Sequence, residues 1–298
     1  MPIQNPHAGA HYALDIGGSH VDSLKSISGL DMLADIALTP AAPGAMPGKH
    51  VANFHWTPGK ATVGMGMGKG MYDWIKASFT QGVSMASGTL ATGDFNFKER
   101  SLLTFSDALL TAITLPRLDG SSKEAGAFEI EFAPERVRAS PGDGSDIRSG
   151  MGTRQQPWLC SNFRFELGTL PCARVASIES FTWRCTPPAA SVFQQQPAPT
   201  IAVPDLRVAI SAADYDAWAQ AAQSWFIDGN HLEGDEMSGM ITLLSPDLQT
   251  PLGAILLGNV GFKRFSQLPS AGAGDALYRF TVDLYVERMS LQLLQYEG

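Results

Sequence analysis

A glycine-rich run is the part of this 298-residue sequence that comes nearest to a nucleotide-binding motif. Residues 63–70 read Val-Gly-Met-Gly-Met-Gly-Lys-Gly, so Gly68-Lys69 could end a phosphate-binding loop. Such a loop needs a glycine, four further residues, then Gly-Lys and a serine or threonine. Val63 occupies the first glycine position, and Gly70 replaces the hydroxyl residue that would bind magnesium. The run is therefore predicted to be a flexible entry into a helix.

Neither the histidines nor the cysteines have the spacing of a metal site. His7 and His11 are four residues apart, but Pro6 and Gly9 disfavour the helix that would place them on one face. Residues 231–236 form an acidic turn, which is more simply a solvated loop than a cation site. The three cysteines fit neither paired zinc ligands nor a disulfide framework. We expect no metal and no cofactor, and we expect reduced thiols at Cys160, Cys172 and Cys185.

Composition excludes several other classes of function. No Gly-x-Ser-x-Gly elbow or other recognisable nucleophile is present, so we expect no enzymatic activity. A net charge of -8 argues against specific nucleic-acid binding. No apolar run approaches the roughly 20 residues of a membrane helix, and the first residues lack a signal-peptide pattern. These features predict a cytosolic product with no membrane partner.

Two strand-like segments begin at residues 128 and 280, which are 152 positions apart. They read Phe-Glu-Ile-Glu-Phe-Ala-Pro-Glu-Arg and Phe-Thr-Val-Asp-Leu-Tyr-Val-Glu-Arg. Alternation of apolar and polar residues predicts strands with one face buried. The positions expected to face a core are Phe128, Ile130, Phe132, Phe280, Val282 and Leu284. The positions expected to face outward are Glu129, Glu131, Thr281 and Asp283.

Other segments repeat in the same order at nearly the same offset. Residues 12–17 align with 163–168, and a helix with Tyr72 and Trp74 aligns with one that carries Tyr215 and Trp218. Each copy reads as four or five strands, a helix and three more strands, which predicts an α+β, mostly antiparallel β, fold. We predict two tandem β-sandwich or barrel domains, each with one flanking α-helix. Their bounds are 1–137 and 157–298, with a linker at 138–156.

Short motifs of the first copy resemble those of the tail-tube proteins of contractile phage tails and contractile injection systems. The Hcp-type tube of type VI secretion has the same fold. Ser28-Gly29-Leu30 matches a turn of this family, and Trp74 matches its helix with a tryptophan. The second copy departs from the pattern at residues 179–181, which read Glu-Ser-Phe, but keeps Trp218. The resemblance covers nearly the whole chain in two tandem tail-tube-like copies.

The resemblance implies a structural subunit of the inner tube, whose domains join into six-domain rings that stack into a conduit. It implies partners of three kinds: other copies of the chain, sheath and baseplate proteins, and cargo in the lumen. Assembly is expected in the cytoplasm, before incorporation into a phage tail or injection particle. Three chains could complete one ring, or six chains could form two stacked rings; we favour six, because a tube needs many identical layers.

The alternative hypothesis is a two-domain β-rich binding or adaptor protein. One form of it is a hub-like trimer at the baseplate, and the other is a carbohydrate-binding or protein-binding module.

Two proline-rich stretches, 31–50 and 182–203, resemble the extended hairpin with which this family contacts neighbouring subunits. Their low charge suits segments that become ordered on contact. The expected contact residues in these loops are Leu38, Pro40, Pro43, Met46, Pro47, Val192, Phe193, Gln195 and Pro197. The outward strand positions Glu129, Glu131, Thr281 and Asp283 are candidates to face the lumen or a neighbour.

Overall fold

The computed structural model describes residues 11–40, 46–150, 158–187, 199–266 and 278–296. Within these ranges the chain is mostly antiparallel β-sheet with two α-helices, which confirms the predicted α+β class. None of the helices in the described ranges has the length and apolarity needed to cross a membrane.

The first half of the chain contains strands β1 to β11 and helix α1. They are β1 His11–Ile16, β2 Ser19–His20, β3 Leu24–Ser28, β4 Met32–Thr39, β5 Gly48–Trp56, β6 Gly59–Val63, α1 Lys69–Gln81, β7 Met85–Gly93, β8 Glu99–Leu115, β9 Leu118–Asp119, β10 Phe128–Ala133 and β11 Arg136–Pro141. The second half contains β12 to β19 and helix α2. They are β12 Phe163–Leu167, β13 Val175–Ile178, β14 Phe181–Thr186, β15 Thr200–Ala202, β16 Leu206–Ser211, α2 Tyr215–Phe226, β17 Met237–Leu244, β18 Pro251–Phe265 and β19 Arg279–Leu293.

Both large sheets contain strands from both halves of the chain. The first has the order β2-β1-β7-β8-β10-β6-β3, and β11 and the β14–β15 pair also join it through β8. The second has the order β12-β17-β18-β19-β16-β13-β9. Strands β4 and β5 pair with each other in a separate two-stranded sheet. The halves are therefore joined by backbone hydrogen bonds as well as by side-chain packing.

The alternating segments adopt the predicted strand register. Phe128, Ile130 and Phe132 of β10 are buried, as are the corresponding residues of β19. Phe132 packs against Trp74 of α1 and Phe105 of β8, with ring centroids 5.8 and 5.2 Å apart respectively. Period-two patterning was sufficient here because each strand has one face on the core and the other exposed or partly exposed.

The glycine-rich run is packed rather than flexible, which corrects the sequence-based expectation. Met65 and Met67 are fully buried. Gly68 has a positive φ of 81°, and a Cβ there would overlap the carbonyl oxygen of His20. The glycines allow the backbone to lie against the β1–β2 region before α1 begins. Their role is close packing at the start of the helix.

Strand bounds differ from the sequence-based expectation in three other places. Residues 31–50, predicted to be strand ends with a long loop that resembles the extended hairpin of the tail-tube family, contain most of the β4–β5 hairpin. All of strand β14 except its first residue lies in the stretch 182–203, which was assigned to a loop. Strand β11 pairs with β8 as far as Pro141, within the stretch assigned to the linker. In each case strand pairing orders residues whose local sequence is rich in proline, glycine or small polar residues.

We expect Phe132→Ala to lower the free energy of unfolding by about 3–5 kcal/mol, because it removes a buried ring between α1 and β8. Glu129→Ala is the matched control: it lies on the exposed face of the same strand and should change stability by less than about 0.5 kcal/mol. Urea unfolding of the two variants measures the difference. Equal effects would show that the register of β10 is wrong.

Candidate assembly interface

Strand β14 of the second half pairs edge to edge with β8 of the first half. The antiparallel register places Phe181 opposite Leu115 and Thr182 opposite Thr114. The hydroxyl oxygens of Thr114 and Thr182 lie 2.9 Å apart. The Ser180 hydroxyl donates a hydrogen bond to the carbonyl oxygen of Leu115 over 2.7 Å. A strand from one half thus completes the sheet of the other.

The inward side of β14 is part of the common hydrophobic core. Phe181, Trp183 and Cys185 are all buried, with Trp183 only 1% exposed. The Trp183 ring meets Phe79 of α1 edge-on, with 5.7 Å between ring centroids. The alternation of these three apolar residues was the sequence signal for a buried strand, and the proline-rich and glutamine-rich stretch that follows concealed it.

Two further contacts strengthen this joint between the halves. Strand β9 of the first half pairs with β13 of the second, placing Leu118 opposite Ile178. Helix α1 packs against β19, where the Tyr72 hydroxyl donates a hydrogen bond to the Leu291 carbonyl oxygen over 3.4 Å. The Tyr72 ring also stacks on Tyr296 at 5.2 Å. The surface that the first half contributes to this joint therefore differs from the surface that the second half contributes. Such a directional, or heterologous, contact has two sides that are not interchangeable.

The β4–β5 hairpin contrasts with the β14–β15 pair. At an offset of 151 residues Met32 corresponds to Trp183, yet Met32 is 61% exposed. Leu33, Ile36 and Leu38 of β4 are exposed, as are Val51 and Phe54 of β5. In the described part of the chain, β4 pairs with β5 and with no other strand. The hairpin is an apolar two-stranded element with an open edge.

Part of one edge of β18 is unpaired, at positions that correspond to those where β8 pairs with β14. Strand β17 pairs with β18 only as far as Val260. Beyond it, no strand among the described residues pairs with residues 261–265 on that side, and Lys263 and Arg264 are exposed. Local sequence does not indicate this edge, because exposure of a strand edge depends on which strand lies beside it.

The residues expected to contact neighbours are only partly covered by the structure. Leu38, Pro40, Met46 and Pro47 are exposed on or beside the β4–β5 hairpin. The others lie outside the described residues: Pro43, Val192, Phe193, Gln195 and Pro197. Assignment of all nine residues to contacts between copies stays a prediction.

The outward positions of β10 and β19 lie on a face of mixed charge. Glu131 forms an ion pair with Lys60 of β6 at 2.7 Å. Asp283 forms the corresponding pair with Arg207 of β16 at 3.6 Å. Thr281 donates a hydrogen bond to the Ser266 hydroxyl, and Glu129 is exposed. Whether Glu129, Glu131, Thr281 and Asp283 face a lumen or a neighbour stays a prediction.

Residues with potential for catalysis or metal binding do not converge in the part of the chain that the structure describes. No group of three or more histidine, cysteine or acidic side chains there could hold a metal ion. The His231 ring contacts the Trp225 carbonyl oxygen at 2.7 Å, at the end of α2. The three cysteines are free thiols, and burial raises the pKa of the Cys172 thiol to about 11. A thiol with such a pKa is a weak nucleophile at neutral pH.

Comparison with solved structures returns components of contractile injection particles. A chain of the PVC sheath–tube complex in its extended state is 21% identical, with a TM-score of 0.40, and the match covers 47% of this chain and 94% of that chain. The anti-feeding prophage tube-terminating cap is 22% identical, with a TM-score of 0.41 and coverage of 48% and 95%. The PVC sheath/tube terminator is 21% identical, with a TM-score of 0.40 and coverage of 46% and 99%.

No protein-family model matches the chain, and no curated protein sequence matches it. The particles found by structure comparison are of the class that the sequence motifs resemble. The proposed function rests on the contacts within the chain itself.

We expect Trp183→Ala to destabilise the joint by about 3–5 kcal/mol, because the ring is buried between β14 and α1. Arg184→Ala is the matched control, since Arg184 is the next residue of the same strand and is exposed. Chemical denaturation monitored by tryptophan fluorescence and by circular dichroism measures both variants. If Trp183→Ala behaves like Arg184→Ala, β14 does not hold the halves together.

Proposed function

We propose that the chain is a structural, non-enzymatic subunit of the inner tube of a contractile tail or injection system. In this proposal it consists of two equivalent units and assembles through them into six-unit rings. The observation that carries the proposal is the joint between the halves, in which β14 extends the sheet of the other half along β8. The same type of contact, repeated between chains, would produce a closed β-lined ring.

Equivalence of the two units is supported by irregular features that recur at corresponding positions. Asp107 of β8 and Asn259 of β18 are 152 residues apart, and both have a positive φ near 54°. Register shifts follow at the same place in both strands, where β8 meets β10 and where β18 meets β19. Positive φ is uncommon for residues other than glycine, so its recurrence is stronger support than alternating hydrophobicity.

The directional joint supports assembly in rings. In the joint the first half supplies the β8 edge and α1, while the second half supplies β14 and β19. If the units are equivalent, each chain has one unused donor strand pair, β4–β5, and one unused acceptor edge on β18. Contacts between unlike surfaces add subunits head to tail and form a ring when the rotation closes.

The geometry of the joint favours three chains in a ring, in place of the six-chain arrangement favoured from the sequence. Strand β14 joins β8 edge to edge, and β9 joins β13 in the same way, so two sheets are shared by the halves. Pairing at a strand edge extends a sheet perpendicular to its strands, and the sheet of a β-lined ring extends around the ring in this direction. Two units side by side in each chain, and six units in a ring, require three chains.

Stacked three-chain rings would form a conduit for cargo, bounded on the outside by sheath proteins and at one end by the baseplate. Assembly in the cytoplasm and incorporation into an extracellular particle belong to the same proposal. A single three-chain ring would instead suit the hub-like adaptor considered from the sequence. The two roles differ in whether rings stack in large numbers.

We expect purified protein at high concentration to form particles whose mass is a multiple of three chains. Negative-stain images should show a central hole with threefold symmetry that approximates sixfold symmetry. Long stacks would favour the tube, and single rings would favour the adaptor. A strictly monomeric mass at high concentration, with no rings, would contradict both roles.

A further inference from the structure

The donor hairpin and the acceptor edge carry complementary surfaces. Met32 and Leu33 are exposed at the start of β4, and the preceding residue, Asp31, has an exposed carboxylate. The acceptor edge presents Arg264 and the half-buried ring of Phe265. Phe265 packs against Tyr215 and Phe280 with ring centroids 5.5 Å apart in each case, so this ring lies against the common core.

We propose that residues 31–33, at the start of β4 in one chain, pair antiparallel with residues 264–266, at the end of β18, in a second copy of this chain. The proposal rests on the equivalence of the two units, because its register is taken from the pairing of β14 with β8. In that register Asp31 lies opposite Ser266, as Thr182 lies opposite Thr114 within the chain. Met32 lies opposite Phe265, as Trp183 lies opposite Ile113. Leu33 lies opposite Arg264, as Arg184 lies opposite Ala112.

The side chains agree with this register on both faces of the new pair. Met32 would point inward beside Phe265, as Trp183 points inward beside α1. Asp31 and Leu33 would lie on the polar face, where Thr114 and Thr182 meet in the joint within the chain. Asp31 would then be diagonal to Arg264, within reach of a long side chain of opposite charge.

Three observations favour a second copy of this chain over a different partner. The occupant of the equivalent edge is already known, because β14 of this chain fills it on β8. The exposed residues of the hairpin include large apolar side chains on both strands, which a stable soluble monomer seldom leaves together in contact with water. An open apolar edge is also a liability that pairing between copies removes.

Site-directed crosslinking tests the register. Leu33→Cys and Arg264→Cys are made in separate proteins, which are mixed, assembled and treated with a short bis-maleimide. Directly opposed residues of an antiparallel pair have Cβ atoms about 4.5–5.5 Å apart, within reach of such a reagent. The native thiols interfere little, since Cys160 and Cys185 are buried and the pKa of Cys172 is raised to about 11.

Leu38→Cys mixed with Arg264→Cys is the matched control. Leu38 is at least as exposed as Leu33 and lies on the same strand, but five residues along it, about 17 Å away at strand spacing. We expect at least tenfold more crosslinked dimer from the Leu33→Cys mixture than from the Leu38→Cys mixture. A single chain carrying both Leu33→Cys and Arg264→Cys should give a ladder that ends at three chains.

Equal yields from the two mixtures, or no crosslinked dimer from either, would overturn the proposed pairing. Rings that form without the Leu33–Arg264 crosslink would refute this pairing and leave the proposed function standing. Selective crosslinking in a protein that never forms rings or stacks would support the pairing and refute the tube role.

Discussion

The structure depends on one constraint: the edge of a β-sheet has unpaired backbone groups that must be covered. The long strand β8 exceeds the reach of its neighbour β7, and β14 from the other half of the chain pairs with the remainder. The burial of Phe181 and Trp183, the contact of Trp183 with α1 and the shared polar face all follow from this pairing. One strand thus joins both halves of the chain in a common core.

The same constraint bears on the surface that the described residues present. Their buried positions are almost entirely apolar, and ion pairs such as Lys60 with Glu131 lie on outward faces. Among the edges without a strand partner in the described residues are a hairpin with exposed apolar side chains and the free end of β18. Complementary unpaired edges are well suited to association between copies and provide no geometry for chemistry.

Local sequence was sufficient to predict strands and helices that have one face buried along their whole length. Strand β10 has one buried face throughout, so alternation located it and fixed its register. Helix α1 was recognisable from the apolar face that includes Trp74 and Ile75. Prediction failed for β14, where a strand from the other half of the chain supplies the order. The prolines and glutamines that follow β14 indicated a loop, but its pairing partner β8, far along the chain, decided the outcome.

The sequence by itself determined the class of fold, the core-facing residues of the repeated strands and the lack of any recognisable catalytic pattern. These properties follow from side-chain chemistry and from the periods of strands and helices. Only the tertiary structure decided that Trp183 is buried while Met32 at the corresponding position is exposed. The physical reason is that burial of a strand depends on the strands beside it: β14 lies beside β8 within the chain, whereas β4 pairs only with β5 among the described residues.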